Sequence, residues 1–157
     1  MGAVLTPEKT DGRVLLRLAN ISDSQDMLAW RNDPVTRQFS FSTEEVSLKE
    51  HQSWFKKAIF DPNKVIYIAE KKSAKIGMVR LDKGEESAVI SINLNPEFRG
   101  LGLSKSILFE SIKEFRKTNL LPIIAEIKHE NVVSLKLFES CGFTKISEEK
   151  SKVILRR

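Results

Sequence analysis

One cysteine, two histidines and one tyrosine in 157 residues leave little material for whole classes of chemistry. The lone Cys141 excludes an internal disulfide and any cysteine-rich zinc site, and two histidines are too few for most metal constellations, so no metal is expected. No apolar run approaches the roughly 20 residues needed to span a bilayer, and the N-terminus lacks the hydrophobic stretch of a signal peptide. Repeats, linkers and low-complexity runs are also missing. A soluble domain in a reducing, cytoplasmic compartment is the simplest expectation.

What remains is ordinary globular material. Hydrophobic residues make up 41% and charged residues 30%, spread evenly along the chain, which suits one folded domain over residues 1–157 with 1–12 left outside ordered structure. The formal net charge of +5 would suit an anionic partner. Most cations are interleaved with acids, as at Glu148, Glu149, Lys150 and Lys152, so they read as a solvated surface, and neither nucleic acid nor a membrane is an expected partner.

The periodicities predict a mixed α and β order. Residues 14–18 alternate as a strand, and the 22–26 cluster caps a helix carrying Met27, Leu28 and Trp30 that stops near Asp33, ahead of Pro34. Arg37 and Phe39 suit equally the site itself or a mobile loop over it. Ser47 and Glu50 open a helix with the stripe Leu48, Trp54, Phe55, Ala58 and Ile59. Strands at 65–70, 76–82 and 88–94 follow, joined by polar turns too short for anything but an antiparallel meander. A helix after Ser104, a strand at 123–128, a helix at 132–141 ending before Gly142, and strands at 144–146 and 152–155 complete the chain.

The stretch Asn95, Pro96, Glu97, Phe98, Arg99, Gly100, Leu101, Gly102, Leu103, Ser104 leads from a strand straight into a helix. Such a loop points successive N–H groups outward, and the helix N-terminus adds partial positive charge, so it can cradle a pyrophosphate. It resembles the Arg/Gln-x-x-Gly-x-Gly/Ala loop of the GNAT acetyltransferase superfamily, with Arg99 and Gly102 matching and Ser104 replacing the usual Gly or Ala. The run Glu126 to Asn131, then Ser134, Leu137, Phe138, Cys141, Gly142 and Phe143, looks like that superfamily's strand, Asn, helix and Gly-Phe ending.

The resemblance implies an α/β (α+β) fold: a twisted, mostly antiparallel mixed sheet flanked by helices, its central strands splayed near Leu94 and Glu126. It implies acetyl-CoA as cofactor, with Arg99, Gly100, Leu101, Gly102, Leu103, Ser104 and Lys105 around the pyrophosphate. Ile92, Asn93 and Leu94 would pair with the pantetheine arm, and Asn131, Ser134 and Phe138 would approach from the next helix. Glu126 and His51 are the candidate bases for deprotonating an amine, and a backbone N–H near Asn93 or Leu94 is the candidate oxyanion donor. Many relatives carry a Tyr acid where this chain has Phe138, which has no proton to give.

On the acceptor side, Trp30, Arg31, Asn32, Asp33, Pro34, Val35, Arg37, Phe39, Ser40, Ser47, Glu50, His51 and Phe55 resemble the UDP-4-amino-sugar N-acetyltransferases of pseudaminic acid biosynthesis. Arg31, His51 and Arg80 would then hold the acceptor, the guanidinium forks suiting a diphosphate. A protein N-terminus or an antibiotic amine as acceptor, and a catalytically weak acyl-CoA-binding module, are the alternatives. A homodimer is left open.

Overall fold

Lys72 and Ser73 both adopt positive φ, 49° and 66°, the backbone of a two-residue hairpin turn whose twist matches that of its strands. That turn joins β2 (Lys64–Lys71) to β3 (Ala74–Lys83), and the polar 84–87 turn joins β3 to β4 (Ala88–Leu94), giving the expected meander. The computed structural model describes residues 12–157; all of the expected unstructured 1–12 segment except Gly12 lies outside the described residues.

Before the meander come β1 (Leu15–Leu18), α1 (Ser24–Asn32), α2 (Pro34–Phe39) and α3 (Leu48–Ala58); after it come α4 (Leu103–Arg116), β5 (Ile123–Lys128), α5 (Val132–Ser140), β6 (Thr144–Glu148) and β7 (Lys152–Arg156). The strands form one mixed sheet in the order β1-β2-β3-β4-β5-β7-β6. Every neighbouring pair is antiparallel except β4 and β5.

The helix caps explain two departures from the expected elements. Asp33 is extended (φ −56°, ψ 134°), as a residue before proline should be, yet it ends α1 and also starts α2, with its carboxylate accepting from the N–H groups of Val35 and Thr36. Residues 34–39 are therefore a short helix and not a loop. In α3 the Ser47 hydroxyl accepts from Glu50 N–H at 3.2 Å, but the buried face is His51, Phe55 and Ala58, while Leu48 is 51% exposed. The face is rotated towards the histidine.

Two apolar clusters lie on the sheet. α4 brings Ile107, Leu108, Ile112 and Phe115 onto Val79, Leu81, Ile90 and Leu155, joined by Phe138, Cys141 and Phe143. Met27, Trp30, Phe55 and Ala58 close over Ile66, Ile68 and Met78. Between β1 and α1, the fully buried Asp23 accepts two bonds from the Arg17 guanidinium at 2.8 Å and pairs with Lys75 at 2.9 Å. No helix among the described residues is long and apolar enough to cross a membrane.

Candidate functional site

β4 pairs with β3 along its whole length but with β5 only at Ala88–Ile123 and Val89–Ile124. Beyond Val89 the strands part. Asn95 N–H donates to the Ile76 carbonyl on β3 at 2.9 Å, so alternation along the strand turns the Asn93 N–H towards β3 and those of Ile92 and Leu94 into the gap. Of the N–H groups of Asn93 and Leu94, the one that faces the gap is that of Leu94.

At the mouth of the gap the chain passes through Gly100 (φ +74°) and Gly102 (φ +71°), the latter capping α4. A Cβ on either glycine would meet no atom within 4 Å. The space above this turn is therefore open to a ligand, with the unpaired N–H groups of the first turn of α4 beside it. A groove of about 420 Å³ runs from here along Ile92, Asn93 and Leu94 to Asn131 and Ser134, and Val35, Thr36 and Phe39 of α2 form its other wall.

Within the loop the residues differ in what they offer. Arg99 and Ser104 line the groove. The Leu103 side chain is in the core, while those of Leu101 and Lys105 are exposed. Arg99 is already engaged: its Nη2 lies 2.5 Å from Asp33 Oδ2 and 2.9 Å from Thr36 Oγ1, and the guanidinium holds the Asp33 carboxyl below the usual carboxylate range. Asn131 caps α5, its Oδ1 accepting from Ser134 N–H at 3.2 Å.

A second cavity of about 270 Å³ shares Ile92, Asn93, Asn131 and Ser134 with the groove and contains Glu126, Arg31, Arg80 and Phe138. Lys152 Nζ stands 3.2 Å from Glu126 Oε1 and 5.8 Å from the centre of the Phe41 ring. Phe138 is buried, with its ring edge-on to Phe143 at 5.0 Å. The roof is the segment 40–47, fastened by Arg31 Nη2 donating to the Ser42 carbonyl at 2.9 Å and by two 2.8 Å bonds between the Asn32 side chain and the Val46 backbone.

Next to it, sharing Arg31, Arg80 and Asn93, lies another cavity of about 270 Å³ walled by Met27, Val46, Glu50, His51, Trp54 and Met78. Arg80 pairs with Asp82 at 3.1 Å and lies over the Trp54 ring at 5.3 Å. His51 is 5% exposed and stacks on Phe55 at 5.6 Å. Burial pushes its imidazole below the usual histidine range, opposed by a hydrogen bond to the Ser24 backbone. Its Nε2 and Arg31 Nη1 are buried without a hydrogen-bond partner among the described residues. Arg31 loses proton affinity to burial and to its neighbours Arg37 and Arg80.

The structure thus brings Glu126, Arg31, Arg80, Asn131, Ser134 and Phe138 together, and places His51 in a separate chamber from Glu126. Lys152 and Phe41 were not anticipated. The register sets Lys152 opposite Lys128, from where it reaches diagonally across to Glu126. No cluster of metal-ligating side chains occurs among the described residues.

Residues 13–144 match the model of the acetyltransferase (GNAT) domain. The chain belongs to the GNAT acetyltransferase family. It is 31% identical over 91 residues to the uncharacterized N-acetyltransferase YfmK of Bacillus subtilis, covering 58% of this chain and 62% of that one. The chain spans between 29% and 62% of the length of the first three curated relatives it matches. Among solved structures it superposes on the spermidine N-acetyltransferase of Vibrio cholerae in complex with CoA and spermine, with a TM-score of 0.81, 21% identity, and 93% and 94% of the two chains covered. The N-acetyltransferase PseH of Campylobacter jejuni gives a TM-score of 0.71 at 17% identity, over 92% and 96%. At such identities these structures speak for the fold, which is the expected GNAT arrangement. Acetyl-CoA is the acyl donor of this family, and the open turn over Gly100 and Gly102, with the unpaired edge of β4, fits it.

Proposed function

We propose that this chain moves the acetyl group of acetyl-CoA onto the primary amine of a nucleotide-linked amino sugar, by direct attack in a ternary complex. The observation that carries this reading is the meeting of groove and chamber at Ile92 and Asn93, with the Glu126 carboxylate and the Arg31 and Arg80 guanidiniums lining the chamber. When bound, acetyl-CoA supplies a thioester carbonyl activated towards amines. The first turn of α4 and the loop at Gly100 and Gly102 hold its pyrophosphate, while Ile92 and Leu94 present N–H groups along its arm.

Glu126 accepts the proton of the incoming ammonium, directly or through water. Lys152 fixes the carboxylate from the side. The Leu94 N–H donates to the carbonyl oxygen as negative charge gathers there. Arg31 and Arg80 flank the passage and suit a diphosphate linker. His51, the other candidate base, reaches the acceptor from the neighbouring cavity and not the reacting amine.

A second reading, a weakly catalytic acyl-CoA-binding module, is favoured by Phe138, whose ring is part of the core and gives no proton. A thiol with pKa about 8.5 leaves tolerably without a strong acid, so the catalytic reading stands first. Titration calorimetry with acetyl-CoA, followed by assay of CoA release on adding a UDP-linked 4-amino sugar, tests both. Binding with amine-dependent release is expected. Binding without release for sugar, peptide and aminoglycoside amines alike would favour the silent module.

A further inference from the structure

Ser91 lines the Glu126 chamber from the middle of β4, exposed and with its hydroxyl hydrogen-bonded to no other described residue. The strand register fixes its neighbours. Across the β3–β4 ladder it faces Arg80. On the other side β4 and β5 pair as Ala88–Ile123 and Val89–Ile124, and the same register carried two residues on sets Ser91 against Glu126. Both side chains lie on the sheet face away from α4, because the alternate positions Ile90, Ala125 and Ile127 are buried in the α4 cluster. Arg80, Ser91 and Glu126 therefore form one row across the sheet, broken by the splay between β4 and β5.

The break leaves room for a small molecule. A paired ladder would keep the strands about 4.8 Å apart, but β4 and β5 have parted before this row is reached. Lys152 holds Glu126 Oε1 at 3.2 Å from β7, the neighbour of β5 on the side away from β4. The second carboxylate oxygen has no partner among the described residues. A cavity of about 270 Å³ contains both this carboxylate and the Ser91 hydroxyl, ample for one water at about 30 Å³. A held water needs about three polar partners. The row supplies two of them, and the incoming nitrogen is the third.

We propose that Ser91 is a positioning residue for the proton transfer: its hydroxyl and the second oxygen of Glu126 hold one water across the splay, beside the arriving amine. An N–H bond of the ammonium breaks as an O–H bond forms on the water, and another O–H bond of that water breaks as one forms on Glu126. The electron pair left on nitrogen becomes the nucleophile, and Ser91 keeps its own proton. This inference rests on the reading of Glu126 as the base and adds what carries the proton to it and what holds the carrier.

The test is steady-state CoA release from acetyl-CoA by the full chain, with the UDP-linked 4-amino sugar, a peptide and an aminoglycoside as acceptors, for the parent, Ser91→Ala, Ser91→Thr and Glu126→Gln. Ser91→Ala is expected to lower kcat roughly ten-fold, the scale of one hydrogen bond, with KM for both substrates unchanged. Ser91→Thr keeps the hydroxyl and should restore most of the rate. The deficit of Ser91→Ala should close as pH rises past the pKa of the free amine, because a nitrogen that arrives neutral needs no relay. In the Glu126→Gln background Ser91→Ala should cost nothing more, as for two groups serving one step.

A deficit equal at every pH, or one that adds in full to that of Glu126→Gln, overturns the relay. A raised KM for the amine with kcat unchanged also overturns it and makes Ser91 a contact to the acceptor. Parental rates in Ser91→Ala beside a slow Glu126→Gln remove Ser91 and leave the base standing, whereas parental rates in both remove the base and the relay together. With release confined to the peptide or the aminoglycoside, the nucleotide-sugar reading falls, and the same variants read with that amine decide the relay. Acetyl-CoA binding without release for any of the three overturns both. Because the pH comparison is made within one variant, a smaller folded fraction does not mimic it.

Discussion

Arg99 and Asp33 are joined at 2.5 Å beside the groove along β4, so the residue expected to meet the pyrophosphate is also the strap that ties the α4 loop to the cap of α2. The carboxylate competes with phosphate for the same guanidinium. Asp33→Asn keeps a capping oxygen for Val35 and Thr36 but releases Arg99, and acetyl-CoA is expected to bind more tightly in calorimetry. Arg99→Ala should weaken it by roughly ten-fold, the scale of one charge-assisted contact. If Asp33→Asn weakens binding as much as Arg99→Ala, Arg99 acts as a strap alone.

Gly102 holds a left-handed backbone that valine enters only with strain, and its missing Cβ leaves the turn open. Gly102→Val is expected to abolish acetyl-CoA binding while the far-ultraviolet circular dichroism spectrum stays that of the parent. Normal calorimetric affinity in the variant would remove the pyrophosphate from this loop.

Glu126→Gln preserves shape and removes the proton acceptor. Turnover should fall by ~10²–10⁴-fold, the usual worth of a general base, with acetyl-CoA affinity nearly intact. Unchanged steady-state turnover at saturating amine would exclude Glu126 as the required base.

Gly77 faces Leu94 across the β3–β4 ladder, and a Cβ there would stand 2.9 Å from the Asn93 carbonyl oxygen and 3.3 Å from Leu94 Cα. Both contacts are backbone, so the strand must move. Gly77→Ala is expected to cost about 1–3 kcal/mol in urea denaturation, as overpacking does, and to raise KM for acetyl-CoA because the displaced strand is the one that lines its arm. A variant with parental stability and KM would show that β4 gives way freely.

Burial alone would push the Asp23 carboxyl up, but the Arg17 guanidinium, the Asn20 N–H and Lys75 outweigh it and hold it far below the usual range. A depressed carboxylate contributes stability that is present above its unfolded value near 3.9 and is lost as pH falls towards its folded value. Asp23→Asn should therefore cost about 3 kcal/mol at pH 7, as removal of one partner from a buried ion pair does, and the gap to the parent should narrow below about pH 4. A pH-independent gap in denaturation curves would assign the loss to packing instead.

Local signals carried most of the fold. Polar turns bounded the apolar runs of β2 and β3, which the two clusters bury on both faces, β5 alternates, and the 103, 107, 108, 112, 115 spacing marked α4. α2 escaped because six residues hold too little periodicity, and Asp33 before Pro34 reads equally as a stop and as a start. Leu48 was placed inside and is outside, since α3 turns its histidine to the core. The open turn at Gly100 and Gly102 and the Asn131 cap were legible because each is a contiguous motif. The separation of His51 from Glu126, and the approach of Lys152, depend on packing between distant segments that no local pattern encodes.

The two-rung contact between β4 and β5 has a thermodynamic consequence. A sheet that closes only at Ala88 and Val89 is an unfinished ladder, and on the proposed reading the amides of the acyl donor stand in for the missing strand. Folding and donor supply are then linked: a ligand at a hundred times its dissociation constant adds about 2.7 kcal/mol to the native state. Such a chain would be most rigid when acetyl-CoA is plentiful, and loosest along that seam when it runs short.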